Sequence, residues 1–125
     1  IYAVMGGAYE GDTFQNALFV NPGHGHRWVT LALEGRRSNR SAVGARVELV
    51  LEESEGERSV HRVVGTGGSF GSSSLELEIG LGQAEAILAV EIRWPSGVVQ
   101  RIDDLDMDRA HHIVEPDTPR DAMAR

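Results

Sequence analysis

The chain has 125 residues, a formal net charge of -7 and no cysteine. That length suits one domain that buries roughly two-thirds of the surface its unfolded form exposes, and the missing cysteine excludes disulfides, thiolate metal sites and cysteine nucleophiles. The acidity opposes nucleic-acid binding, which needs a net basic face, and no apolar run approaches the roughly 20 residues that span a bilayer.

All 12 basic residues are arginine. We read that skew as genome composition or salt adaptation ahead of anion recognition. The first 26 residues, with "YEGDTFQNALFVNPGHGH", are polar and turn-rich and look like the end of another unit. The opening "IYAVMGG" shows no signal pattern, which suggests a piece of a longer protein and leaves export open. "HGH" puts His24 and His26 two apart, and His111 with His112 would be needed to complete a zinc site. Adjacent histidines in a strand point to opposite faces, so solvated loop histidines are the expectation.

From residue 27 the dominant period is two, the mark of strands with one face buried. "RWVTLALEG" places Val29, Leu31 and Leu33 on one face, and "GARVELVLEE" places Val47, Leu49 and Leu51. "RSVHRVVG" reads as the partner of the latter strand, joined through "SEGE" with Gly56 in the connection. "LELEIGLG" predicts Leu75, Leu77, Ile79 and Leu81 inward. "ILAVEIRWPSGVVQRI" predicts a strand with Leu88, Val90, Ile92 and Trp94 on one face, a turn at Pro95 to Gly97, and a returning strand. The phase of both Trp94 and Trp28 is read as core ahead of sugar stacking. "DDLDMDRA" is the one stretch with helical spacing, "AHHIVE" reads as a closing strand, and "PDTPRDAMAR" as a frayed tail. The sum is an all-β sandwich of about eight mostly antiparallel strands.

The motifs "SNRSAVGARV", "GTGGSFGSSS", "EIGLG" and "VEIRWPSGVVQRIDDL", in that order, resemble the ASPIC/UnbV domain of cartilage acidic protein and bacterial exported proteins. The preceding "GDTFQNALFVNPG" resembles the end of an FG-GAP or VCBS-type repeat, the building unit of β-propeller blades. This divides the chain into an arm at 1–26, a sandwich domain at 27–116 and a tail at 117–125. What the resemblance implies is a non-catalytic binding or assembly module, attached to an upstream β-propeller of the same chain in an extracellular or periplasmic protein. A glycan or an extracellular protein would be its partner. The alternatives are a structural cap of the propeller, or an accessory domain of an enzyme. Two positions depart from the family pattern: Phe70 stands where relatives often have tyrosine, and "EIGLG" where many have Phe-Gly-Leu-Gly.

Candidate sites follow from these stretches. In "SNRSAVGARV", Ser38 and Asn39 either turn the chain through side-chain bonds to nearby backbone, with Gly44 easing entry to a strand and Arg46 outward, or Asn39, Arg40 and Arg46 line a pocket with Ser69 and Ser72 that takes a small anion or sugar. Asn39-Arg40-Ser41 also matches a glycosylation sequon. Asp104 and Asp106 alternate like the start of a calcium loop but lack its glycine and glutamate, and Glu10 with Asp12 would be remnants of a blade ion site. Calcium is the one cofactor these residues suggest. No serine has a visible base, so no catalytic residue is assigned. Finally, an unpaired arm is expected to pair across a two-fold axis, giving a homodimer.

Overall fold

The computed structural model describes residues 1–7, 10–11, 14–67 and 71–117, and among these every regular element is a strand. The arm contributes β1 (Tyr2–Ala3) and β2 (Ala17–Leu18), which pair with one another. The sandwich consists of β3 (Arg27–Glu34), β4 (Arg46–Glu53), β5 (Gly56–Val63), β6 (Leu77–Gly82), β7 (Ala86–Arg93), β8 (Val99–Leu105) and β9 (Ala110–Val114). One sheet has the order β6-β3-β9 and the other β5-β4-β7-β8. All pairings are antiparallel except β3 with β9, which is parallel.

Alternation puts one face of each sheet into a shared core. Val29, Leu31 and Leu33 of β3 and Leu77, Ile79 and Leu81 of β6 come from the smaller sheet. Val47, Leu49 and Leu51 of β4, Val60 of β5, and Val90 and Ile92 of β7 come from the larger one. Each fully buried aliphatic side chain stabilises the fold by roughly 1.5–3 kcal/mol, against about 0–1 kcal/mol for an exposed ion pair. The core therefore dominates, and the surface pairs are free to serve other ends.

Four expectations about side-chain placement and local structure are corrected here, and a fifth, on the β4–β5 connection, below. Leu75 is 39% exposed and precedes β6, which starts at Leu77. Leu88 does not share the core face. The β4–β7 register steps from Val50↔Ala89 to Leu51↔Ile87, so Leu88 is an extra bulged residue and Ile87 takes the buried position instead. Trp28 is 45% exposed because it alternates with Val29, whereas Trp94 is buried and its Nε1 donates to Gln100 Oε1 at 3.1 Å. "DDLDMDRA" forms the end of β8 and a bend, not a helical turn; Asp104 and Asp108 have φ of 54° and 58°. Asp108 instead closes the top of β3, its N–H donating to Trp28 O at 2.7 Å while its Oδ1 accepts from Trp28 N at 3.1 Å.

Both hairpin turns follow local chemistry. Glu53 pairs with Gly56, so Ser54 and Glu55 alone make the β4–β5 connection, two residues shorter than "SEGE" suggests. At the β7–β8 turn, Gly97 N donates to Trp94 O at 2.9 Å, Pro95 supplies the fixed φ, and Gly97 takes φ 90°.

Candidate functional site

The stretch 36–40 leaves the end of β3 and must return to β4 across the sandwich. Its organiser is Glu115, which follows β9 and is 1% exposed. Oε2 accepts from three successive backbone N–H groups, Arg36 at 2.8 Å, Arg37 at 2.9 Å and Ser38 at 2.8 Å. Oε1 accepts from Ser38 Oγ at 3.0 Å and from Ser96 Oγ, and Ser38 Oγ itself accepts from Ser96 N at 3.0 Å. One carboxylate thus ties the β3–β4 loop, the β7–β8 turn and the end of β9 together. Burial alone would raise its pKa. The hydrogen bonds from Ser96, the Ser38 and Arg36 backbone and the Ser38 hydroxyl outweigh it and lower the value to about 2.

The same loop fixes the first two expected site residues. Asn39 closes its own turn, Oδ1 accepting from Val43 N at 2.9 Å and Nδ2 donating to Val43 O at 2.9 Å. Arg40, largely exposed, pairs with Glu34 Oε1 at 3.1 Å. Among the described residues neither lines a hollow together with the serine-rich loop, and Ser38 bonds to Glu115 and Ser96 rather than to its neighbours. Asn39 follows the turn-forming expectation, whereas Ser38 is held by a distant carboxylate that the local sequence does not announce.

Arg46 is different. It lies on the outer face of the larger sheet and lines an open groove of about 540 Å³ with Glu48, His61, Val63, Glu91 and Arg93. Register explains this grouping: Arg46 is opposite Arg93 and Val63, and Glu48 is opposite Glu91 and His61. Two like-charge pairs therefore sit side by side, an arrangement that opposes strand pairing. Arg93 Nη2 lies 2.6 Å from Glu91 Oε1 as an ion pair, but without hydrogen-bond alignment, so this covered oxygen has no hydrogen-bond donor among the described residues. His61 Nε2 lies 4.0 Å from Glu48 Oε1, whose closer partner is Ser59 Oγ at 2.9 Å.

A second hollow of about 460 Å³ adjoins the first across Arg62 and Val63 and is lined by Ser73, Ser74 and Glu76. Ser72 is exposed beside it, while Ser69 lies outside the described residues. Among the expected ion ligands, Asp104 and Asp106 border a separate hollow with Arg27 and Glu85, Glu10 is exposed in the arm, and Asp12 lies outside the described residues. Among the described residues no three His, Asp or Glu side chains come together around one point. His111 Nε2 meets Asp106 O at 2.8 Å and His112 Nε2 meets Glu34 Oε2 at 3.1 Å, so the two diverge as their strand requires.

Seven strands form a two-sheet sandwich whose larger sheet carries an open groove lined by charged side chains. The chain belongs to the ASPIC and UnbV family, whose model matches residues 35–120. That match begins after β3, although β3 is the central strand of the smaller sheet. A search of curated proteins found no match to this sequence.

Proposed function

We propose that this domain is a non-catalytic binding or assembly module of an extracellular or periplasmic protein, carried by an upstream β-propeller and recognising a glycan or an extracellular protein. The observation that carries the reading is the groove around Arg46. It is open, built on strands and lined by charged side chains, of which Arg46 makes no ion pair among the described residues. Such a face suits recognition better than turnover, which needs a nucleophile with a positioned base. The family's extracellular character agrees with that setting.

The test is a panel of immobilised polysaccharides and extracellular proteins probed with the chain. Retention by at least one member, with the ligand recovered chemically unchanged, is expected. No retention across the panel, or a ligand recovered cleaved, overturns the reading.

A second reading, a structural cap on the preceding propeller, is favoured by the arm. Ile1, Val4, Phe14, Leu18 and Val20 are all more than two-thirds exposed there, an apolar surface that a neighbouring unit would cover. We expect that unit to be the upstream repeat. Sedimentation of the present chain checks the competing homodimer: a concentration-dependent dimer, lost on removal of residues 1–22, would give the cover to a second copy.

A further inference from the structure

We propose that the groove on the outer face of the larger sheet binds an acidic polysaccharide with one carboxylate per sugar ring, Arg46 and Arg93 holding the carboxylate and Glu48 and Glu91 accepting ring hydroxyls. This rests on the binding-module reading and gives it a site and a ligand class.

Register carries the first step. Arg46 and Arg93 are directly opposed on β4 and β7. Side chains in such a position stand about 4.5–5.5 Å apart at Cβ, close enough for two guanidinium groups to grip one carboxylate. Arg46 makes no ion pair among the described residues, and Arg93 is 64% exposed with its one carboxylate contact to Glu91. Two opposed arginines repel each other when the groove is empty, and a carboxylate between them removes that repulsion. Binding therefore gains twice, from the new contacts and from relief of a like-charge pair.

The neighbouring row decides what the rest of the ligand must be. Glu48 and Glu91 are two residues along their strands from Arg46 and Arg93, roughly 6.6–6.8 Å away. Carboxylates accept and do not donate, so they suit hydroxyl donors and repel a second acid. Glu91 Oε1 is covered, with Arg93 Nη2 2.6 Å away, and becomes available to a hydroxyl only as Arg93 turns to the ligand's carboxylate. A sugar acid offers that combination, one carboxylate with hydroxyls a ring's width away. An acidic peptide such as polyglutamate instead offers the glutamates no hydroxyl donors, and a densely sulfated chain presents more negative charge to them and to a protein of net charge -7. Val63, 58% exposed at the end of the arginine row, gives the apolar face of a ring something to rest on.

The experiment is calorimetric titration of the chain with oligogalacturonate of defined length, against a neutral glucan oligomer of equal length and against polyglutamate. Oligogalacturonate is expected to bind, and Arg46→Gln and Arg93→Gln each to weaken it at least tenfold with melting temperatures unchanged or raised. Arg109→Gln, in the bend before β9, serves as the folded control and is expected to bind like the parent. Equal binding by the Arg46 and Arg93 variants overturns the site, and preference for the neutral glucan or for polyglutamate overturns the ligand class. No binding to any of the three, with retention on another member of the panel, overturns this inference while the binding-module reading stands; silence in both experiments defeats the two together.

Discussion

Glu115 shows how much one side chain decides. A buried carboxylate is costly unless its charge is matched by donors, and here five N–H and O–H groups from Arg36, Arg37, Ser38 and Ser96 match it. Its folded pKa of about 2 stands below the ordinary value of 4.5, so ionisation favours the folded state. That contribution, on the order of 3 kcal/mol, is complete above pH 4.5 and is lost as the pH falls toward 2. Glu115→Gln should therefore destabilise the neutral protein by about 2–4 kcal/mol and flatten this acid branch. Urea midpoints for both proteins between pH 7 and pH 2 check it, and parallel curves would show that Glu115 is not the titrating lock.

At the scale of elements, turns and bulges set which faces meet. The loop after β3 passes so close to itself that a Cβ on Gly35 would overlap the carbonyl oxygen of Asn39. Gly35→Ala should cost about 1–3 kcal/mol, because backbone must move to make room. Gly65 has open space at the same test and no positive φ, so Gly65→Ala should stay within about 0.5 kcal/mol of the parent. Denaturant unfolding of the two variants side by side decides the point; equal losses would mean that the close approach at Gly35 relaxes freely. Strand periodicity in the sequence located β3, β4, β6 and β7 well, since alternation is a local consequence of the pleat. It misassigned Leu88 because a bulge inserts one residue against the partner strand, and only the partner reveals it.

For the whole molecule, the central fact is that β3 lies between β6 and β9. A chain beginning at residue 35, where the family match starts, removes the middle strand of the smaller sheet together with Val29, Leu31 and Leu33. It should fail to fold, whereas a chain beginning at residue 23 should keep the parent's unfolding midpoint within a few degrees, since among the described residues the arm strands pair only with each other. Far-ultraviolet circular dichroism and thermal melts distinguish these outcomes. A folded chain from residue 35 would show that β9 and β6 close the sheet without β3.

The division of labour follows from range. Composition, period-two alternation, the Pro-Ser-Gly turn and the ordered motifs are readable in the sequence by itself, and they determined the all-β class, most of the core and the family. Each depends on residues within a few positions of one another, or on a pattern kept along the chain. The parallel docking of β9, the capture of residues 36–38 by Glu115, and the facing of Arg46 with Arg93 were decided by tertiary structure alone. These are consequences of strand order and register, which join residues far apart in sequence through backbone hydrogen bonds that any side chain can accompany.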